Sequence, residues 1–323
     1  MVNMSIVILS YNRLADLQLT VQSLISDLSP DIELIVVDNA STDGSREFLQ
    51  NINFERPELI TILRDSNGGP PAGRNAGLRV SQGKYIVCLD DDAFMPFADI
   101  RKVPYYFSKH TNAGILAFKV CHSKTGKLQN DYGDSIVAIG NFHGAGFAVR
   151  QDLFGKIGYL DELCTFGAEE FDFSLRCHAA GFQTLFVPEL VVKHNSYCRP
   201  GSVGADRHIK WVYNFVRVIF KHFPRHISYV YAMRYFIMAS IWGFRNHGPR
   251  IVMSSIGSAW RGRRDGILVF CVLPPKTVQF YKNPQLRPEF GNSPLHVFLI
   301  RVIRYIIRQI RSGHSCELHK DIL

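Results

Sequence analysis

Three consecutive carboxylates, Asp90, Asp91 and Asp92, follow residues 84–89, whose sequence KYIVCL predicts a short buried strand. Adjacent negative charges repel one another, so at the end of a buried strand they need a cation or a hydrogen-bond donor. Carboxylate oxygens suit Mg²⁺ or Mn²⁺, which usually bridge one or two carboxylates to a substrate phosphate. The cluster therefore predicts a site for a metal and a diphosphate, and the alternative is an acidic turn in solvent.

A second set of residues that could do chemistry lies at 169–176, where EEFDFSLR predicts the start of a helix that ends near Gly181. Glu169 and Glu170 lie at the helix N-terminus, where the helix dipole favours an ionised carboxylate that can take up a proton. Asp172 and Arg176 are one turn apart and are expected to form a helix-stabilising pair. His194 follows a predicted strand; it is either a structural histidine or, if it faces the acidic cluster, a ligand for a divalent ion.

The elements that position these residues alternate between strand and helix in the first half of the chain. Apolar runs predict strands at 4–9, 32–37, 59–63, 84–89, 114–120, 184–187 and 191–192, and helical patterns occur at 14–26, 45–50, 72–81 and 100–109. This order predicts an α/β fold with a doubly wound, mostly parallel sheet. Ligands bind at the carboxyl ends of such strands, where residues 10–13, 38–39 and 90–92 would all lie.

A glycine-rich stretch at 67–77 is interpreted as a loop that enters a helix. Its backbone amides and Arg74 could bind an anionic diphosphate, and the alternative is a structural turn with a surface arginine. The sequence has no GxGxxG after its first strand and no GxxxxGK[ST], so the dinucleotide-binding and P-loop signatures are missing.

Composition places the chain among globular proteins, since 46% of its 323 residues are hydrophobic and 20% are charged. Its seven cysteines form no CxxC pair, which disfavours a disulfide framework or a zinc site and favours a reducing cytosol. The N-terminal segment lacks the features of a secretory signal. Residues 1–200 carry a net charge of −5 and residues 201–323 carry +14. This difference predicts an acidic catalytic domain at 1–200 and a basic helical region at 201–323 that meets an anionic surface.

The pattern of the basic region favours a membrane surface over nucleic acid as that partner. Residues 295–311 place four arginines on one helix face and apolar residues on the rest, which predicts a helix lying on anionic lipid or, alternatively, a buried terminal helix. The apolar run 227–244 contains Arg234, which is costly inside a bilayer, so a packed or interfacial helix is expected. Aromatic residues mixed with long aliphatic ones do not form a stacking groove for nucleic acid.

Six stretches of the chain, in order and spacing, resemble the family 2 inverting glycosyltransferases of GT-A fold. They span about residues 4–196 and include SIVILSYNRL at 5–14, ELIVVDNASTDGSR at 33–46, GRNAGLRVSQGKYIVCLDDDAF at 73–94, GNFHGAGFAVRQDLFG at 140–155, GAEEFDFSLRCHAAGF at 167–182 and VPELVVKHN at 187–195. The form with EEFD before a helix and a closing histidine is most similar to rhamnosyltransferase-like and galactofuranosyltransferase-like members.

The resemblance implies a nucleotide-sugar donor, a Mn²⁺ or Mg²⁺ ion and a role for each matching residue. Glu170 matches the catalytic base, with Glu169 as the alternate, although the family usually has aspartate there. The donor side comprises Ser10, Asn12, Arg13 and Asp38 around the base, Arg74 at the ribose or diphosphate, and Asp90 and Asp91 of the acidic motif. The metal ligands are Asp90, Asp92 and His194, and His143 is expected near the acceptor.

Together these features predict a metal-dependent, inverting glycosyltransferase on the cytoplasmic face of a membrane. It would pass a sugar from a nucleoside diphosphate, of the dTDP-rhamnose or UDP-hexose type, to a hydroxyl of a lipid-linked or cell-surface glycan. A nucleotidyltransferase is one alternative, but residues 10–13 lack its Gly/Arg/Lys-rich signature. A catalytically silent sugar-nucleotide or membrane-binding module is the other, and the acidic residues with His194 argue against it.

Overall fold

The computed structural model describes residues 2–55, 59–195 and 204–283. In these ranges nine strands form one sheet in the order β3-β2-β1-β4-β8-β6-β9-β5, with β7 paired to β9. The strands are β1 Met4–Ser10, β2 Ile32–Asp38, β3 Leu59–Leu63, β4 Tyr85–Asp90, β5 Ala93–Phe94, β6 Ala113–His122, β7 Val137–Ile139, β8 Gly146–Arg150 and β9 Gln183–His194. The helices around the sheet are α1 Leu14–Ile25, α2 Ser45–Glu55, α3 Gly69–Val80, α4 Phe97–Ile100, α5 Val103–Lys109, α6 Gln151–Ile157 and α7 Glu169–Ala179.

The first four strands in space, β3-β2-β1-β4, are all parallel, which confirms the predicted α/β arrangement. β1 is buried at every position, as expected for a strand covered by helices on both faces. Its register aligns Ser10 with Asp38 on β2 and Leu9 with Asp90 on β4. The polar residues that follow these strands consequently lie at one edge of the sheet.

The second half of the sheet adds antiparallel strands: β8 lies antiparallel between β4 and β6, and β5 and β7 pair antiparallel with β9. The prediction of two strands at 184–187 and 191–192 is wrong, because residues 188–190 form an irregularity within one twelve-residue strand, β9. Pro188 lies at this point, where a missing backbone donor is tolerated. The predicted helix at 100–109 is divided into α4 and α5, and Pro104 occupies the first turn of α5.

Four further helices follow: α8 Ala205–His222, α9 Arg225–His247, α10 Pro249–Leu268 and α11 Pro275–Tyr281. They share a hydrophobic cluster with α7, in which Phe171 of α7 stacks on Phe215 of α8. Tyr281 of α11 donates a hydrogen bond to the carbonyl of Gly140 at 2.8 Å. The predicted helical character of this region is thus confirmed through residue 281, while the predicted membrane helix at 295–311 lies outside the described residues.

The apolar run 227–244 forms part of α9. Small side chains such as Ser228, Ala232, Ala239 and Gly243 make up most of its buried face. Among the helices of the described ranges, none combines the length and the apolarity needed to cross a bilayer.

Candidate functional site

The three predicted metal ligands, Asp90, Asp92 and His194, lie together at the carboxyl edge of the sheet. Asp90 ends β4, and the pairing of Ala93 with His194 in the β5–β9 ladder brings the histidine to the acidic motif. One ligand atom from each of the three residues lies within 4.8 Å of the others. His194 Nε2 is 3.1 Å from Asp92 Oδ1. Two carboxylates and an imidazole are a donor set that fits Mn²⁺ or Mg²⁺.

The surroundings of His194 favour its neutral, ligating form. Gln129 Oε1 lies 2.7 Å from His194 Nδ1 and accepts its hydrogen, which leaves the Nε2 lone pair on the side of Asp92. Burial lowers the pKa of His194. A second hydrogen bond that fixes the ring and tautomer is typical of histidines that bind metals. Gln129 had no signal in the sequence, because it lies in a loop far from the motifs.

Asp91, the middle carboxylate, faces the loop after β1 instead of joining the metal trio. Ser10 Oγ donates to Asp91 Oδ2 at 2.9 Å, and the Tyr11 backbone N–H donates to the same oxygen at 3.2 Å. Burial raises the pKa of Asp91 to about 7, although Arg13 opposes this. Arg13, whose side chain is 37% exposed, forms an ion pair with Asp92 and lies 3.9 Å from Asp91. Ser10 and Asp91 therefore connect the β1 loop to the acidic motif from inside the protein.

Asn12 belongs to this loop, and Asp38 ends the neighbouring strand, β2. Both carboxylate oxygens of Asp38, a fully buried residue, accept from the Ser41 backbone N–H at 3.2 Å, and Arg46 Nη1 lies 3.6 Å away. Asn12 has a positive φ of 52°, and its Oδ1 accepts from the backbone N–H of Thr42 at 2.7 Å. The carboxyl ends of β1 and β2 thus form a continuous polar edge next to the acidic motif.

Arg74 connects the metal trio to the glutamate pair. It lies in α3, and its side chain is 4% exposed. Its Nη2 donates to Asp90 Oδ1 at 2.7 Å and to the Gly144 carbonyl at 2.9 Å, while its Nη1 lies 3.6 Å from Glu169 Oε1 and 3.9 Å from Glu170 Oε1. The glycine-rich stretch 67–77 was expected to be a loop that enters a helix, but most of it is helical, because α3 already begins at Gly69.

Glu169 and Glu170 begin α7, as the sequence predicts. Burial raises the pKa of Glu169 well above 4.5, and the charge of Glu170 raises it further. Burial also raises the pKa of Glu170, but Arg74 opposes this effect, and a hydrogen bond with Glu169 lowers the Glu170 pKa. The Glu169 side chain is 3% exposed and that of Glu170 is 16% exposed. The arrangement favours a proton on Glu169 and an ionised, more accessible Glu170.

His143 lies next to His194 of the metal trio, and the adjacent Gly144 lies next to Glu170. The His143 ring meets the His194 ring edge-on, with centroids 5.6 Å apart, and its Nδ1 accepts from the Ala145 backbone N–H at 3.1 Å. Desolvation lowers the pKa of His143 to about 4, so the ring is neutral near pH 7. A side chain on Gly144 would enter the space of the Glu170 carboxylate. The contact of Gly144 with Glu170 had no signal in the sequence beyond the glycine itself.

The predicted Asp172–Arg176 pair is part of a larger buried cluster. Asp172 is fully buried; its Oδ2 accepts from Arg176 at 2.7 Å, and its Oδ1 accepts from Lys221 Nζ at 2.7 Å and lies 2.8 Å from His222 Nε2. Burial raises the pKa of Asp172, but Arg176, His222 and Lys221 outweigh it and hold the pKa well below 3.8. The cluster anchors α7, which carries Glu169 and Glu170, to α8. Spacing within α7 could not reveal the two partners on α8.

Two family models match this chain. The model described as Glycosyl transferase family 2 matches residues 5–160, and the model described as Glycosyl transferase family group 2 matches residues 93–280, more than half of the chain. Together they include the parallel strands, the acidic motif and the glutamate pair.

Two curated relatives and one solved structure illustrate the similarity. The Minor teichoic acid biosynthesis protein GgaA of Bacillus subtilis (strain 168) is 35% identical over 138 residues, which cover 40% of this chain and 31% of GgaA. The UDP-Glc:alpha-D-GlcNAc-diphosphoundecaprenol beta-1,3-glucosyltransferase WfaP of Escherichia coli is 33% identical over 90 residues, which cover 28% of this chain and 35% of WfaP. The chain thus spans about a third of the length of these two relatives.

The crystal structure of GalNAc-T7 with UDP, GalNAc and Mn²⁺ superposes with a TM-score of 0.59 at 18% identity and covers 83% of this chain and 56% of GalNAc-T7. At this identity the similarity establishes the fold, and it confirms the GT-A prediction. The narrower resemblance to rhamnosyltransferase-like and galactofuranosyltransferase-like members stays a prediction. Because the family group 2 model extends over more than half of its residues, this chain belongs to the family 2 glycosyltransferases.

Proposed function

We propose that this enzyme transfers a sugar, with inversion, from a nucleoside diphosphate to a hydroxyl of a cell-wall or lipid-linked glycan. The observation that carries the proposal is the continuous cluster in which Arg74 contacts Asp90 on one side and approaches Glu169 and Glu170 on the other. A cation site and a base thereby lie on either side of one guanidinium, an arrangement that suits displacement of a diphosphate from a sugar.

The donor would lie along the carboxyl edge of β1, β2 and β4. Asp38 can accept a hydrogen bond from the nucleobase, and Asn12 and Arg13 flank the same edge. Asp90, Asp92 and His194 would hold the divalent ion. When bound, Mn²⁺ or Mg²⁺ would supply positive charge that stabilises the departing diphosphate. The presence of UDP and Mn²⁺ in the structure of GalNAc-T7 supports a donor and a cofactor of these classes.

Glu170 is the proposed general base. It removes the proton from the acceptor hydroxyl as that oxygen attacks the anomeric carbon, while the bond from this carbon to the diphosphate breaks on the opposite face. Glu169, which retains its proton more strongly, donates a hydrogen bond to Glu170 and helps to keep it ionised. Arg74 provides a fixed positive charge between the base and the leaving group. Such a base typically contributes on the order of 10²–10⁴-fold to the rate.

The proposed acceptor class is supported by two relatives, GgaA and WfaP. GgaA is named for teichoic acid biosynthesis, and WfaP is named for transfer to a sugar on diphosphoundecaprenol. Both names support a glycan of the cell surface or its lipid-linked precursor as the acceptor.

The test replaces Glu170 by Gln and compares this variant with Glu162→Gln, a change at a 43% exposed side chain paired with Arg79 outside the cluster. Calorimetry with Mn²⁺ and a panel of UDP- and dTDP-sugars selects the donor. Transfer of the labelled sugar to a bacterial lipid extract measures turnover. We expect Glu170→Gln to retain donor affinity and to lose transfer by about 10²–10⁴-fold, whereas Glu162→Gln keeps both. Full transfer by Glu170→Gln would contradict the base assignment, and release of a labelled sugar phosphate in place of a labelled glycan would indicate a nucleotidyltransferase.

A further inference from the structure

α9 carries a stripe of large apolar side chains that face solvent. Val230 is 64% exposed, Met233 62%, Ile237 38% and Phe244 56%. Their spacing of three, four and seven residues keeps them on one side of the helix. The opposite side of α9 is buried and rich in small residues. This stripe is therefore an outer face of the helix, separate from its packing face.

α10 carries a second exposed stripe. Met253 is 71% exposed, Ile256 38% and Trp260 63%. Between the two helices lies a cavity of about 330 Å³, and Met233, Ile256 and Trp260 line it from both sides. The two stripes and the cavity form one surface, named here the α9–α10 face. Contiguous exposed apolar surface of this kind usually marks a site of interaction with another protein or a membrane.

The charge around the α9–α10 face is strongly positive. Residues 204–283 contain 13 Lys+Arg against 2 Asp+Glu, a net charge of +11. Arg245 adjoins the stripe of α9 and Arg250 precedes that of α10, and both side chains are exposed. Arg263 lines the cavity and lies over the rings of Trp260 and Tyr229, 5.5 and 5.6 Å from their centroids. Long apolar side chains with aromatic and basic residues beside them are typical of helices that lie in a membrane interface.

We propose that the α9–α10 face docks on an anionic phospholipid membrane, with both helices parallel to the surface. The apolar stripes would enter the boundary between head groups and acyl chains, and the arginines would contact the phosphates. A second copy of the chain is a poorer occupant, because an interface between two such faces would bring two sets of arginines together. This surface differs from residues 295–311, and the proposal does not depend on the chemistry of the candidate site.

The test measures co-sedimentation of the full chain with vesicles, in the absence of donor. Wild type should bind vesicles that contain phosphatidylglycerol and should bind pure phosphatidylcholine at least tenfold less. Met233→Glu/Trp260→Glu should weaken binding to the anionic vesicles by about tenfold or more. The matched control is Leu19→Glu/Tyr105→Glu, which places the same charges on α1 and α5 at side chains that are 68% and 57% exposed. The control should bind like wild type.

A second variant tests the electrostatic part without altering the apolar stripes. Arg245→Gln/Arg250→Gln should weaken binding about fivefold per arginine, which corresponds to ~1 kcal/mol for each basic side chain near an anionic surface. Equal binding by wild type and Met233→Glu/Trp260→Glu, or equal binding to anionic and neutral vesicles, would overturn the proposal. A wild-type dimer that Met233→Glu/Trp260→Glu converts to a monomer in light scattering would also overturn it, by assigning the face to a contact between copies.

Discussion

The Gly144→Ala substitution tests whether the position of the Glu170 carboxylate matters for turnover. Gly144 has no Cβ, and its carbonyl accepts a hydrogen bond from Arg74 Nη2 at 2.9 Å. An added Cβ would lie well inside van der Waals contact of Glu170 Oε1 and 3.0 Å from Arg74 Nη2. The closer of the two atoms, Glu170 Oε1, is the end of a flexible side chain, so the carboxylate is expected to make the larger movement while the backbone stays in place.

The size of the effect follows from this geometry. Ordinary van der Waals contact begins at 3.4 Å, so the Glu170 carboxylate must move by about 1 Å. A displacement of ~1 Å at a reacting group can reduce the rate about 10²-fold. We therefore expect kcat to fall about 10²-fold, with donor affinity and Tm close to those of wild type. Steady-state transfer assays, calorimetry with Mn²⁺ and donor, and thermal unfolding measure these three quantities.

Gly155→Ala is the matched control for this prediction. Gly155 belongs to α6, and apart from its chain neighbours and the nearby backbone of that helix no atom of the described residues lies within 4 Å of a Cβ placed on it. This variant should keep the wild-type kcat. If Gly144→Ala also keeps kcat within about threefold of wild type, a shift far below that expected from a 1 Å displacement, then Glu170 is not the positioned base.

Three further predictions concern the parts of the molecule that support the site. Asp172→Asn should lower the free energy of unfolding by about 3–5 kcal/mol at pH 7 in urea denaturation, because buried cations lose their counter-charge. In the folded wild type the pKa of Asp172 is held well below 3.8. The difference in stability between wild type and variant should therefore be fully present above the unfolded-state pKa and should disappear as the pH falls through the lower folded-state pKa. Gln129→Ala should weaken Mn²⁺ affinity by about 10–100-fold in calorimetry, and an unchanged affinity would argue against His194 as a ligand. Because burial raises the pKa of Glu170 above 4.5, kcat/KM should fall as the pH is lowered through that raised pKa, and a midpoint at or below 4.5 would contradict the proposed environment.

The sequence was sufficient to predict the first half of the sheet and much of the candidate site. Continuous apolar strands alternate with helices there, so the polar residues after β1, β2 and β4 had to meet at one edge. The expectation that His194 faces Asp90 and Asp92 came from the family motifs, and the β5–β9 pairing explains it.

Contacts between distant segments could not be predicted in the same way. The burial of Asp91 against Ser10 depends on side-chain direction, which is not visible when three aspartates are adjacent. The partners of Asp172 on α8 and the hydrogen bond from His194 to Gln129 join residues 49–65 positions apart. Neither has a periodic or local pattern, because both arise from tertiary packing.

Calorimetric titration of a UDP- or dTDP-sugar into the protein, with and without Mn²⁺, tests the central claim most directly. Asp92→Asn serves as the variant and Asp152→Asn, at an exposed carboxylate paired with Arg150, serves as the control. We expect tight binding only with Mn²⁺, its loss in Asp92→Asn and its retention in Asp152→Asn. Donor binding that is equally strong without a divalent ion and in Asp92→Asn would show that the acidic motif and His194 do not hold the donor through a metal.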